Sequence, residues 1–202
     1  MPAWKIAIDG PAASGKSTVA RLVAERLKGY YVNTGDMYRA VSWAALERGL
    51  DVASDSAGVA ALLSSLDLRY RVAGPGQLQL YLNGDPVPQE RVRSAAVAAV
   101  VSLVARLPAV RAWLRDRQRE CCDLGTVVME GRDIGTVILP EAPFKFFVTA
   151  SPEERARRRL AQAGEVAPGA TIASVAAEIA ARDRIDSSRA VAPLRAAPDA
   201  VV

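Results

Sequence analysis

Between Gly10 and Thr18 the chain reads Gly-Pro-Ala-Ala-Ser-Gly-Lys-Ser-Thr, which satisfies the spacing G-x-x-x-x-G-K-[ST]. Glycines at those positions let a backbone curl until several N–H groups face one phosphate, and the N-terminus of a following helix adds its positive dipole end. Lys16 then reaches the β- and γ-phosphates of a nucleoside triphosphate, Ser17 is placed for Mg2+ and Thr18 for the α-phosphate. Gly10, Pro11, Ala12, Ala13, Ser14, Gly15, Lys16, Ser17 and Thr18 thus form the expected triphosphate site. Such a loop serves small-molecule kinases, GTPases, motor-like ATPases and nucleic-acid remodellers alike. The Asn-Lys-x-Asp signature by which a GTPase reads its base does not occur, and the chain is short for a motor, so a small-molecule kinase gains weight.

Further charged groups stand where such a site would need them. Thr34, Tyr38 and Arg39 lie in the run Asn33-Thr34-Gly35-Asp36-Met37-Tyr38-Arg39, just past a short apolar segment, where ligands of open α/β sheets bind. Glu130-Gly131-Arg132-Asp133 follows the buried run Thr126 to Met129. There an acid can orient water around Mg2+, Arg132 can hold an acceptor phosphate, and Asp133 can accept from a base amino group. From Thr171 onward an apolar stripe of Ile172, Val175 and Ile179 continues at helical spacing into Arg182, Asp186 and Arg189. Charges on a face that began as core need partners, and a polar ligand is one. Ser151 and Glu154 have the spacing of a capping box, and Arg155, Arg158 and Arg159 then share a helical face, as a lid over a transferring phosphate requires. Gly164 and Gly169 are its candidate hinges. Each group also has a plainer reading: a capped helix start, a turn with an internal ion pair, a helix end emerging into solvent, or a solvated helix laced with Glu–Arg pairs.

The 202 residues contain no histidine, which removes the commonest general base and transition-metal ligand. Net charge is +4, and only Lys5, Lys16, Lys28 and Lys145 are lysines, so the cations are mostly arginines, suited to planar polyanions. Those arginines are dispersed among motifs rather than massed in a stripe with interleaved aromatics, which argues against a nucleic-acid module. The adjacent Cys121 and Cys122 are expected to be reduced. Without a signal peptide or a long apolar run, a cytoplasmic protein with no membrane contact is expected.

These groups need elements to hold them, and strands alternate with helices along the chain. A strand from Trp4 to Asp9 precedes the glycine loop. A helix from Ser17 to Lys28 follows, its apolar face set by Val19, Leu22, Val23 and Leu27. A strand from Tyr30 to Val32, a helix from Asp36 to Arg48, and buried strands at Thr126 to Glu130 and Phe144 to Thr149 complete the expectation of a parallel α/β sheet flanked by helices. Alternation over Leu66 to Val72 and Leu78 to Leu82, around Ala-Gly-Pro-Gly, marks a β-hairpin insertion that extends through Asn83 to Pro86 into a third strand. Gln89 to Arg106 and Ala109 to Cys122 read as helices split by Pro108.

The P-loop, "TGDMYR", the hairpin, "EGRDIGTVILPEAPFKFFVTAS", "EERARRR" and "RDRIDSSRAVAPL" occur together in the order seen in bacterial cytidylate kinases, a resemblance covering nearly the whole chain. It implies a P-loop nucleoside monophosphate kinase that transfers phosphate from ATP, with Mg2+, to CMP and dCMP. The implied parts are a core of about residues 1–35 and 124–202, a monophosphate-binding region with the β insertion at about 36–123, and a lid at about 152–170. By resemblance, Ser102, Arg111 and Asp133 read cytosine, Tyr38 packs against the nucleoside, and Arg39 and Arg132 clamp the acceptor phosphate. Arg182 and Asp186 contact the sugar with Arg189 near the base, and Arg155 and Arg158 approach the donor phosphates. Lys16, Arg132, Arg155 and Arg158 are thereby the expected catalytic set, and a monomer is expected. Glu130 stands where relatives also carry aspartate. The sequence ends at Pro198 to Val202, where relatives generally complete a strand and add a helix. The rivals are a kinase for uridylate, shikimate or dephospho-coenzyme A, which should not need the insertion or the Ser102, Arg111, Asp133 set, and an RNA-binding module without kinase activity.

Overall fold

In a computed structural model, which describes residues 3–162, 166 and 169–202, β1 (Lys5–Asp9) feeds the glycine loop and α1 (Lys16–Arg26), and β2 (Tyr30–Asn33) runs straight into α2 (Thr34–Glu47). Next come α3 (Ser56–Leu62), β3 (Leu68–Gly74), β4 (Gln77–Leu82), β5 (Asp85–Pro86), α4 (Gln89–Val92), α5 (Ala95–Arg106) and α6 (Pro108–Glu120). The chain finishes with β6 (Val127–Gly131), a π-helical turn (Ile134–Ile138), β7 (Phe144–Phe147), α7 (Pro152–Leu160) and α8 (Ile172–Ser187).

The main sheet has the order β2-β6-β1-β7 with every pair parallel, as the alternation of strands and helices predicts. Its central strands are apolar on both faces because both are covered: Ala7, Val127, Val128 and Met129 are fully buried. Register sets Asn33 and Ile8 on either side of Glu130 and Asp9 beside Gly131, so the segments leaving β1, β2 and β6 emerge together at one sheet edge. A separate antiparallel sheet, β3-β4-β5, is the expected three-stranded insertion. Leu68 and Leu80 from its inner face join Met37, Val41, Val104 and Leu114 in a core shared with α2, α5 and α6.

Several local expectations change in three dimensions. On α1 and at its C-cap, Val19, Leu22 and Leu27 are 41%, 53% and 43% exposed, and the buried face is Lys16, Ala20 and Ala24. The loop must aim Lys16 inward, and residues four and eight further on follow it; small alanines there let the helix lie close on the sheet. β7 is an edge strand with Phe144 and Phe146 exposed, not a buried one, and Val201 bridges to Phe146 in parallel. The helix expected from Gln89 to Arg106 breaks at Arg93, because Ser94 caps α5 by accepting from the Val97 N–H. Pro108 opens α6 at its first position, where its missing N–H costs nothing. At α7 Ser151 accepts from the Glu154 N–H at 3.2 Å, but the Glu154 carboxylate turns to Arg158 at 2.8 Å instead of closing a capping box. On α8 Ile172 is exposed, leaving Val175 and Ile179 as the buried stripe. Cys121 and Cys122 are free thiols. Among the described residues no single helix is long and apolar enough to cross a membrane; only α5 with the stretch Pro108–Leu124 passes as a pair, and that pair is bent by 94°.

Candidate active site

Local geometry first builds the phosphate loop. A Cβ on Gly10, at φ +151°, would stand 2.1 Å from the Val148 carbonyl oxygen, so only glycine fits there. Gly15, at φ +98°, turns the chain into α1. Lys16 is buried, its ammonium donating to the Pro11 carbonyl at 2.9 Å. Burial first, and Arg132 second, push its pKa down to about 7, against the pull of Glu130 and Asp9.

A cleft of about 280 Å3 runs from this loop across the strand ends to α5 and α6. Eight arginines and Lys16 line it against four carboxylates. Burial and neighbouring arginines push Arg39 and Arg159 down to about 10 and Arg182 to about 9. The Nε atoms of Arg182 and Arg189 and the Ser14 hydroxyl are buried without a hydrogen-bond partner. Crowded cations with unspent donors fit a polyanionic ligand that carries several phosphates.

The EGRD segment supplies the floor. Arg132 donates from Nε to Asp186 at 2.9 Å and from Nη1 to the Gly10 carbonyl at 3.0 Å, joining phosphate loop, β6 and α8. Asp186 also holds Arg189; burial alone would raise its pKa, but Arg132, Arg189 and Arg182 keep it below the usual range. At the far end Arg111 and Asp133 form a buried ion pair, Arg111 donating as well to the Ala105 carbonyl at 3.1 Å. The Tyr38 ring lies 5.6 Å from that guanidinium, and Ser102 on α5 lines the same end. Burial pushes the Tyr38 phenol to about 12.

The fold thus brings Lys16, Ser17, Thr18, Thr34, Tyr38, Arg39, Ser102, Arg111, Arg132, Asp133, Arg158, Arg182, Asp186 and Arg189 onto one cleft, with Ala12 to Gly15. Gly10 and Pro11 shape the loop behind it. Thr34 donates to the Glu130 carbonyl at 2.8 Å. Arg158 donates to the Ser14 carbonyl at 2.9 Å. Arg155 departs from the expectation that it faces the donor phosphates: it is buried outside the cleft, donating to the Ala12 carbonyl at 2.9 Å and paired with Asp183. Gly164, the proposed first hinge, lies outside the described residues.

The sequence reading missed three residues. Asp9 accepts the N–H groups of Ile134 and Gly135 at 2.8 and 2.7 Å, which fixes the turn after Arg132 and Asp133. Burial lifts its pKa to about 6 despite those two bonds. An acid ending the strand before the phosphate loop was the available signal. Arg93 lines the cleft and pairs with Asp36 at 2.7 Å. Tyr31 donates its hydroxyl to Glu130, orienting that carboxylate.

Mg2+ fits this donor set as a guest held mainly by other oxygens. No cluster of three acidic, cysteine or histidine side chains exists among the described residues, while the Ser17 hydroxyl opens α1 at the cleft and the buried Glu130 also lines it.

A phosphate-cradling loop between strand and helix of a parallel sheet, opening on an arginine-lined cleft and flanked by an antiparallel insertion, defines a P-loop kinase. The comparisons give the family. The sequence model of the cytidylate kinases matches residues 6–202. Relatives named cytidylate kinase include those of Pelotomaculum thermopropionicum, 50% identical over 98% of this chain and 86% of its own, and Geobacillus thermodenitrificans, 48% over 97% and 86%. That of Bacillus licheniformis is 43% identical over 97% and 86%. The chain belongs to the cytidylate kinase family and is a kinase of nucleotide substrates.

Proposed function

We propose that the protein transfers the γ-phosphoryl group of ATP to CMP and dCMP, giving CDP and dCDP, by in-line displacement. The observation that carries this reading is the continuity of the cleft: the phosphate loop at one end and the buried Arg111–Asp133 pair with Tyr38 and Ser102 at the other, joined by arginines. Donor phosphates belong at Lys16 and Arg158, and the acceptor phosphate at Arg39 and Arg132. The sugar belongs at Arg182 and Asp186, and the cytosine edge at Ser102, Arg111 and Asp133 with Arg189 beside it. In this reading residues 36–123 receive the monophosphate and residues 152–170 close over the donor.

The acceptor phosphate is already an anionic nucleophile at neutral pH, so a chain without histidine is at no disadvantage. Positioning and charge neutralisation carry the catalysis. Lys16 and Arg158 spread the charge that develops on the transferred group, while Arg39 and Arg132 hold the attacking oxygen in line. Mg2+, held by Ser17 with Glu130 orienting its water, would supply further neutralisation when bound. A reducing compartment, the cytoplasm, suits the free Cys121 and Cys122.

Coupled ADP release with Mg·ATP and CMP, dCMP, UMP, AMP, GMP or shikimate as acceptor tests the reading. Turnover much faster with CMP and dCMP is expected. Equal turnover with UMP or shikimate would overturn the cytosine assignment, and salt-sensitive RNA binding without turnover would overturn the kinase assignment.

A further inference from the structure

Four carbonyl groups of the phosphate loop accept hydrogen bonds from cationic side chains. Gly10 O accepts from Arg132, Pro11 O from Lys16, Ala12 O from Arg155 and Ser14 O from Arg158, all at 2.9 to 3.0 Å. In a trans peptide the N–H points opposite to the C=O, so a carbonyl drawn away from the cleft turns the next residue's amide toward it. Three of these cations line the cleft; Arg155 does not. It is 6% exposed, and its other hydrogen bond goes to Asp183 on α8. Asp183 Oδ2 takes that bond, and its buried Oδ1 has no hydrogen-bond partner.

The next residue explains why a clamp is needed there. Ala13 has φ 57°, a left-handed conformation that costs a non-glycine residue about 1–2 kcal/mol. Its methyl group packs into the small core of Ala156, Val175 and Ile179 between α7 and α8. A glycine would adopt the angle freely but lose that contact.

We propose that Arg155 and Asp183 are positioning residues for the donor site: Asp183 on α8 holds Arg155 on the Ala12 carbonyl, which keeps Ala13 left-handed, so that α7 and α8 set the shape of the phosphate loop. The proposal rests on the ATP-binding reading above and assigns Arg155 to the loop's backbone rather than to the donor phosphates. If the two act as a unit, removing either has the same effect, and removing both adds little.

The test is equilibrium binding of Mg·ATP and, separately, of CMP to Arg155→Met, Asp183→Asn and the double variant, with kcat beside it. Each single variant is expected to weaken Mg·ATP by about tenfold or more, the scale of one lost charge-assisted hydrogen bond. CMP binding should stay within about twofold, and the double variant should be no weaker than the worse single. Adding Ala13→Gly to Asp183→Asn should restore part of the affinity, because glycine reaches the left-handed angle without steric cost once the clamp is gone. A kcat collapse in Arg155→Met with Asp183→Asn unaffected would overturn the proposal in favour of direct contact with the donor. Unchanged Mg·ATP affinity in Asp183→Asn would overturn it even if Arg155→Met does not fold. Failure of the wild-type chain to phosphorylate CMP would defeat the functional reading instead, and Mg·ATP binding would still report on the clamp.

Discussion

At the scale of single residues, the site is a set of cations held at a cost. Lys16→Ala and Arg132→Ala should each lower turnover on CMP by about 10²-fold or more, the magnitude lost when one preorganised donor to developing charge is removed. Near-normal turnover in folded variants would refute the roles given to them. Lys16 also makes a pH prediction. Its pKa falls from the ordinary 10.5 to about 7 in the ligand-free protein, so at pH 8 the side chain is mostly neutral. Donor phosphates restore the charge, and binding of Mg·ATP at pH 8 should take up close to one proton, with affinity falling as pH rises from about 7 toward 10.5. Calorimetry in buffers of different ionisation enthalpy measures that uptake, which should vanish in Lys16→Ala. The stability sign follows from the same shift: the folded state pays for a charged Lys16 below about pH 7, and the penalty is relieved as pH rises through the window up to 10.5.

At the scale of elements, the segment from Gly131 to Ile138 is aimed rather than merely connected. Gly131 lies where a Cβ would meet Thr34 Oγ1 at 2.6 Å and Ile134 Cδ1 at 2.7 Å, and Asp9 pins the next two amides beyond Asp133. Gly131→Ala should therefore push the strand end away from α2 and displace Arg132, with overpacking of about 1–3 kcal/mol. The expected result is a loss of thermal stability together with a rise of more than tenfold in KM for CMP; a stable variant with unchanged KM would show that the segment adapts. Much of this element was legible in advance, because a buried apolar run followed by Glu-Gly-Arg-Asp marks a strand ending at a polar site. For Asp9 only its place at the end of the strand was legible, because its partners lie 125 and 126 residues away and no local pattern connects them.

At the scale of the whole molecule, the cleft sits where the main sheet's C-terminal edge meets the helices carrying the small sheet, and charge repulsion is stored there. Arg182 is pushed down first by burial and then by Arg132. Replacing it with methionine should raise the melting temperature of the ligand-free protein while weakening nucleotide binding, a trade that a purely structural arginine would not show. A ligand at 100 times its Kd adds about 2.7 kcal/mol. At about 2–4 °C per kcal/mol for a chain of this size, saturating CMP or Mg·ATP should raise the wild-type melting temperature by about 5–11 °C. A smaller rise with Arg182→Met, read by scanning calorimetry, is the expected companion; a lower melting temperature for the free variant would contradict the stored repulsion.

What the sequence determined by itself was whatever depends on neighbours along the chain. The glycine, lysine and hydroxyl spacing defined the phosphate loop, the alternation of apolar strands with helices defined the parallel sheet, and Pro-Gly turns between alternating residues defined the insertion. Only the tertiary structure decided which face of α1 is buried, that Arg155 turns under the loop instead of over the cleft, and that Arg111 and Asp133 meet. Helical periodicity marked Val19, Leu22 and Leu27 as core, but the inward direction of Lys16 rotates that stripe outward. Arg155 and Ala12 are 143 residues apart, and Asp9 and Ile134 are 125 apart. Hydrogen bonds of that span are fixed by how the elements pack, and packing is a property of the assembled chain rather than of any window along it.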